Sequence, residues 1–413
     1  MSKHIYLNSE VIFFETNEES RSEFVKEYEA LFEKLDLSSI PRYNKGVGAS
    51  GYDQHSLLKA LIVYAKEGYR SILQLIRELE AKPYFSTYVL GFRSTIPEQS
   101  TFYRFLQRFD PEKIQELCAS VNLSHLSEAG RELNVLAIDA KPIVANTKEN
   151  NPKCFIHNLT DKGKLPARNE ESALGFLSST NDINGKVTRT FYWGYKLHLI
   201  VDADTDTPLV WKVTPANASD NHEAPELYQS LKKHYASCFA KRLVQTADKA
   251  YWDRKVYESF MKTCGGYSAI SRNPGNQKKD PNLSPDGVPL CAAGYGMEHE
   301  CSWYDKKDKC QRFRFRCPRK GMECEFRNPL ARCTKTLRVT DPVPGKIEPF
   351  TQAFQNVYGK RQSVERVNAH ITNVGFDFPN HFSMASITNL IGFVLLAKAL
   401  SQQYQPGLKL KAA

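Results

Sequence analysis

Apolar residues recur at three- and four-residue spacing through the first third of the chain. "HSLLKALIVYAKEG" (55–68) and "SILQLIRELEAKPYF" (71–85) each gather their apolar positions on one side, which predicts two amphipathic helices. Gly68 is a fitting C-terminal stop for the first, and Ser71 a fitting N-cap for the second. "PEQSTFYRFLQRFD" (97–110) predicts a third helix, capped by Ser100, with Arg104 and Arg108 four residues apart on one face. The helical pattern runs from residue 21 to about 130, and residues 1–20 read as peripheral.

At residue 134 the period changes. "NVLAID" reads as a short buried strand, and "FYWGYKLHLIVDADT" (191–205) as a long one rich in aromatic and β-branched residues. The turn "DADTDTP" and the strand "LVWKVTPA" (209–216) make the second and third strands an antiparallel hairpin. A helix (221–235), a strand (242–248), a helix (253–265) and a strand (267–271) follow, and two helices (358–372, 386–404) close the chain. Residues 273–350 are rich in Pro, Gly, Cys and Lys/Arg, with weak periodicity. Antiparallel strands first and parallel α/β units afterwards is the order of an RNase H-like fold with an insertion before its last helices. The expected class is therefore α/β, a mixed sheet with flanking helices. The expected divisions are a helical region (1–130), the first part of the core (131–272), the insertion (273–350) and the C-terminal core helices (351–413).

Composition narrows the function classes. A chain of 413 residues with 41% hydrophobic and 25% charged residues is an ordinary globular composition. The first fifteen residues lack a signal-peptide core. "LIGFVLLAKAL" (390–400) is short for a membrane span and is interrupted by Lys398. The expectation is a soluble, cytoplasmic protein with no membrane role. The net charge of +10 is compatible with a nucleic-acid partner. The three helices ending in the basic 97–110 segment could be a helix-turn-helix module, with Arg104 and Arg108 meeting DNA, or a plain bundle.

Candidate chemistry begins with the carboxylate that ends "NVLAID". A lone acid at a strand tip is usually a turn or cap residue, so Asp139 needs partners before it means more. Asp248 supplies one, because it directly follows the apolar run of "LVQTAD". On adjacent strands the two would emerge at one sheet edge, where ligands gather, and a divalent cation would relieve their repulsion. Tyr358, Arg361 and Glu365 fall at i, i+3 and i+7 in "YGKRQSVERVNAH", one face of a continuous helix. Other acids have plainer readings. Asp202, Asp204 and Asp206 suit a solvated turn, Asp220 a helix cap, and His198 a packed or surface imidazole.

Two strand-tip acids followed by Y-x2-R-x3-E resemble the DDE transposases of bacterial insertion sequences. The likeness covers about residues 50–405, including "GYKLHLIVDADTDTPLVWKVTPANASD" and "ADKAYW". It implies that Asp139, Asp248 and Glu365 are a catalytic, metal-binding triad for two Mg²⁺ ions, with Mn²⁺ as substitute, and that Tyr358 and Arg361 are the signature tyrosine and arginine. The partners implied are double-stranded element ends and target DNA in the bacterial nucleoid, with a homodimer expected by analogy. The implied reaction is cleavage at element ends and transfer of the freed 3′-OH to target DNA. The family's signature lysine would fall at position 372, which is Thr372 here. A metal-dependent nuclease without strand transfer and a catalytically silent DNA-binding regulator stand as alternatives.

The insertion carries two further features. Cys291, Cys301, Cys310, Cys317, Cys324 and Cys333 crowd into a short span without a C-x2-C pair, so a Zn²⁺ site using four of the six competes with reduced, buried thiols. In "RFRFR", a strand would turn Arg312, Arg314 and Arg316 one way and Phe313 and Phe315 the other. That predicts a packed face and a cationic stripe for the DNA backbone.

Overall fold

The computed structural model describes residues 19–43, 51–92, 95–151, 165–166, 168–180, 187–273, 280–319, 324–326 and 333–403. Among these the chain opens with helices α1 (Glu23–Glu33), α2 (Gln54–Lys66), α3 (Ile72–Glu80), α4 (Gln99–Arg108) and α5 (Pro111–Glu128). Strands β1 (Leu133–Val144), β2 (Ala173–Thr180), β3 (Val187–Asp202) and β4 (Thr207–Pro215) follow, then α6 (Asp220–Tyr235), β5 (Phe239–Ala247), α7 (Arg254–Cys264) and β6 (Tyr267–Ile270). The insertion forms β7 (Glu298–Asp305), β8 (Cys310–Arg316) and β9 (Thr334–Val339), and α8 (Gln352–Tyr358), α9 (Gln362–Asn373) and α10 (Met384–Gln403) close the chain.

Helix ends form where the sequence offers the right groups. Ser71 Oγ accepts from Gln74 N–H at 3.2 Å at the start of α3, and Gly68 takes φ +64° just past the end of α2. Ser100 does not cap α4. That helix begins at Gln99 behind Glu98, and Ser100 instead accepts from the Arg104 guanidinium one turn on.

The sheet runs β4-β3-β1-β5-β6, with β2 pairing the outer half of β3. Strand β3 is antiparallel to both β1 and β4, β5 is parallel to β1, and β6 is parallel to β5. This is the RNase H-like connectivity that the order of elements predicts. Strand β2 is an addition that the sequence pattern did not reveal. At the junction of β1 and β3, Gly194 lies so close to Ile143 that a Cβ would stand 2.2 Å from its carbonyl oxygen, so only glycine fits.

Alternation along β1 divides the core. Val135 and Ala137 join one apolar cluster with α2, α9 and α10, while Leu136 and Ile138 join another with α6 and α7. The first cluster also takes in buried residues of α1, α3, α4 and α5, so the N-terminal helices share the core of the sheet rather than forming a separate unit. Helix α10 is long and apolar enough to cross a membrane by length and composition, but most of it is buried here against α2, α4, α5 and β4.

Candidate active site

Strand pairing brings the two tip acids together. Ile138 of β1 lies opposite Ala247 of the parallel β5, so Asp139 and Asp248 are the next residues on neighbouring strands, ~4.8 Å apart by ordinary sheet spacing. Asp139 has the same parity as Val135 and Ala137 and faces the C-terminal helices, where Asn368 of α9 donates to its Oδ2 at 3.0 Å. Asp248 caps a single 3₁₀ turn, its Oδ1 accepting from Ala250 N–H at 2.7 Å, which leaves the other oxygen for a ligand.

The environment of Asp139 opposes its ionisation. The residue as a whole is half-buried, but its carboxyl is the deep part. Removal from water pushes the group up to about 7, and the charges of Asp248 and Asp220 push the same way. The Ala140 N–H and the Arg361 guanidinium pull in the other direction and do not prevail.

Glu365, the third acid, is linked to Asp139 through Arg361 and not by direct contact, and the helical period does not describe its segment. Tyr358 ends α8, a 3₁₀ turn covers Gly359–Arg361, and α9 begins at Gln362, so Tyr358 and Glu365 are not on one continuous α-helix. Arg361 and Glu365 still meet, Nη1 to Oε1 at 2.7 Å, and Glu365 is otherwise exposed. Burial alone would lower the Arg361 pKa, but Glu365, Tyr358 and Asp139 outweigh it and hold the guanidinium charged. Arg361 is therefore the cation shared by Asp139 and Glu365. Tyr358 stacks on Phe354 with ring centroids 4.6 Å apart.

The β3–β4 turn holds this segment in place. Asp206 makes a two-pronged contact with Arg366 at 2.6 and 2.7 Å, and Asp204 pairs with Lys360 at 2.5 Å. The turn acids, expected to be merely solvated, thus clamp both sides of Glu365. Asp202 is buried, pairs with Arg131 at 3.2 Å and accepts from Asp204 N–H and the Thr205 hydroxyl, a structural role. Asp220 opens α6 and binds Lys196 Nζ at 3.0 Å. His198 is fully buried, bonds Thr214 Oγ1 at 2.9 Å, and is held neutral by burial and by Lys196, its pKa pushed down to about 4.

Sequence reasoning missed two neighbours of Asp139. Asn368 is one turn past Glu365, and Lys141 is two residues past Asp139 on the same side of β1. Lys141 Nζ donates to Thr372 Oγ1 at 2.7 Å. Burial lowers the Lys141 pKa, partly offset by Asp377 and Asp139. An ammonium thus stands beside position 372, supplied by β1 rather than by the helix. The odd lysine two residues after a strand-tip acid was the available signal.

Other expected contacts are placed differently. Phe313 and Phe315 are buried and the arginines alternate with them, as predicted for β8. The stripe is not free, however. Arg312 pairs with Asp305 and Asp308, Arg314 with Glu300, and Arg316 with Glu298, mostly across to β7. Glu298 and Glu300, on β7, thus neutralise two of the three arginines. Arg104 and Arg108 are exposed on α4, with no ion pair among the described residues, and line a groove of about 520 Å³ with Lys113 and Tyr52. Of the six cysteines, Cys301 is exposed on β7 and Cys310 is buried at the start of β8, away from the other four.

The donor chemistry fits a hard divalent cation. Asp139, Asp248 and Glu365 offer only carboxylate oxygens, and a 2+ charge would offset the burial, and the lesser repulsion from Asp248 and Asp220, that keep Asp139 protonated.

Comparison with known proteins points the same way. Residues 130–400 match the family model described as Transposase DDE domain, and residues 14–108 match Transposase domain (DUF772). No curated protein gives a significant match. Among solved structures, the chain is similar to a piggyBac transposase synaptic complex with hairpin DNA, at 9% identity and TM-score 0.34, covering 91% of this chain and 74% of that one. It is also similar to a Mos1 transposase paired-end complex with the left transposon end, at 11% identity and TM-score 0.17, covering 55% and 61%. Overlaps this loose say nothing about individual residues.

Proposed function

The chain belongs to the transposase DDE-domain family, and from that premise we propose that Asp139, Asp248 and Glu365 hold Mg²⁺ for cleavage of element ends and joining of the freed 3′-OH to target DNA. The observation that carries this reading is the pair of acids on adjacent parallel strand tips, with burial pushing Asp139 up to about 7. Bound at these carboxylates, Mg²⁺ or Mn²⁺ supplies Lewis-acid stabilisation of the attacking and leaving oxygens.

The protein's own residues do the rest by position and charge. Asn368 fixes one oxygen of Asp139, whose carboxylate would be one of those that hold the ion. Arg361 is poised to exchange its bond to Glu365 for a phosphate oxygen, freeing that carboxylate for the ion. Lys141 is placed to hold a second phosphate oxygen, the role left open by Thr372. Tyr358, its ring stacked on Phe354, would help to orient the DNA strand. Asp204 and Asp206 keep the Glu365 segment docked on the β3–β4 turn.

DNA is held beyond the site as well. Arg104 and Arg108, exposed and without acidic partners among the described residues, are suited to phosphate contact from the helical region. Two ends are handled in one event, which favours a homodimer on DNA in the bacterial cytoplasm. The test is a supercoiled plasmid carrying the gene with its flanking DNA. Purified protein should nick it only with Mg²⁺ or Mn²⁺ and then join a pre-cleaved end to a second plasmid. Cleavage without joining would indicate a nuclease, and binding without cleavage a regulator.

A further inference from the structure

Four cysteines of the insertion converge from separate segments of the chain. Cys291 occupies a tight turn before β7, its N–H donating to Tyr295 O at 2.8 Å while its own carbonyl accepts from Gly294 N–H at 3.0 Å. Cys317 directly follows β8 and Cys333 directly precedes β9, and the Cys317 N–H donates to the Cys333 carbonyl at 3.0 Å. Cys324 comes from the loop between them. All four line one cavity of about 230 Å³, and none is in a disulfide. Cys317, Cys291 and Cys324 are the thiols that neighbour Cys333.

We propose that Cys291, Cys317, Cys324 and Cys333 are a structural Zn²⁺ site that closes the loop end of the inserted sheet. Four thiolates and no open position is the donor set of a structural zinc centre. Loading converts four thiols and one Zn²⁺ into a tetrathiolate complex with release of the thiol protons. The insertion has reason to need it. Its own core is Met297, Phe313 and Phe315 with a few half-buried neighbours, too little apolar burial to hold so long an excursion. The turn at Cys291 and the backbone bond between Cys317 and Cys333 set three ligands on a fixed frame, and Cys324 supplies the fourth. Among the described residues, a tighter set of potential ligands exists at Asp305, Asp308 and Cys310, within 4.8 Å of one another, but Arg312 already neutralises both carboxylates. Cys301 and Cys310 belong to no part of the proposed centre. It is independent of the catalytic acids and stands or falls without them.

The experiment is metal analysis of the full-length chain, purified under reducing conditions, with each of the six cysteines changed to Ser in turn. About one Zn²⁺ per chain is expected in the wild type and in Cys301→Ser and Cys310→Ser, with near-complete loss in each of the other four. If those four variants are insoluble, the wild type is loaded with Co²⁺ instead. The visible bands of tetrahedral cobalt with thiolate charge transfer would support the site. A metal-free wild type, disulfides among these four cysteines by mass spectrometry, an iron–sulfur absorption, or equal metal loss in all six variants would each overturn it.

Discussion

Replacing Asp139 with Asn should stabilise the metal-free protein, and more so as pH rises. In the folded chain this carboxyl titrates at about 7 against an ordinary 3.8, because burial and then Asp248 and Asp220 oppose its charge. Between those values the unfolded chain has released the proton and the folded chain still holds it. Each pH unit therefore costs the wild type about 1.4 kcal/mol, up to roughly 4 kcal/mol by pH 7, with no further loss above it. Below pH 3.8 both states are protonated and the penalty vanishes. The amide of Asp139→Asn keeps the shape, can still accept from Asn368, and has no charge to bury. Denaturant unfolding of both proteins from pH 4 to pH 8 in EDTA reads the difference directly, with all other titrations cancelling. Added Mg²⁺ should close the gap by binding the folded wild type alone. A stability difference that stays flat across this range would refute the reasoning, since it would mean that Asp139 ionises freely without a cation.

Three further outcomes follow from the site and the insertion. Lys141→Ala should slow cleavage by about 10- to 100-fold, the worth of one charge-assisted contact to phosphate, and adding Thr372→Lys should recover most of it; cleavage at the wild-type rate by Lys141→Ala would remove the residue from the site. Arg361→Ala should impair single-turnover cleavage far more than Lys360→Ala, because Arg361 bonds Glu365 whereas Lys360 pairs with Asp204 at the surface, and equal small effects would contradict that division. Changing Arg312, Arg314 and Arg316 together to Ala should shift the salt slope of DNA binding by well under the ~2.7 expected for three free phosphate contacts, because each arginine already has an acid; a full shift would show that they leave those acids for DNA.

The fold was largely legible because its signals are periodic. Helical and alternating apolar patterns marked α2, α3, β1, β3 and β4, and the change of period near residue 134 located the sheet. Asp139 and Asp248 were legible for a local reason: each directly ends an apolar run. What escaped depends on tertiary contacts. The 3₁₀ turn at Gly359–Arg361 breaks the assumed helix face without any proline or glycine pair to announce it. The pairing of Arg314 with Glu300 and of Arg316 with Glu298 is cross-strand, set by the β7–β8 register, which no local pattern shows. Lys141 reaches Thr372 across 231 positions of sequence, and no local pattern encodes that contact. The choice of four cysteines among six rests on the strand pairing of β8 and β9, which brings Cys317 beside Cys333.

The central claim is that three carboxylates, from β1, the end of β5 and α9, act as one metal site on DNA. Glu365 bears the most weight, since its partner in this structure is Arg361 rather than the other acids. The direct measurement is single-turnover cleavage of an end-bearing duplex in Mg²⁺ by Asp139→Asn, Asp248→Asn and Glu365→Gln, alongside their end binding in EDTA. The account predicts that all three bind ends like the wild type and that none cleaves. Near-normal cleavage by Glu365→Gln, with the two aspartate variants inactive, would contradict it.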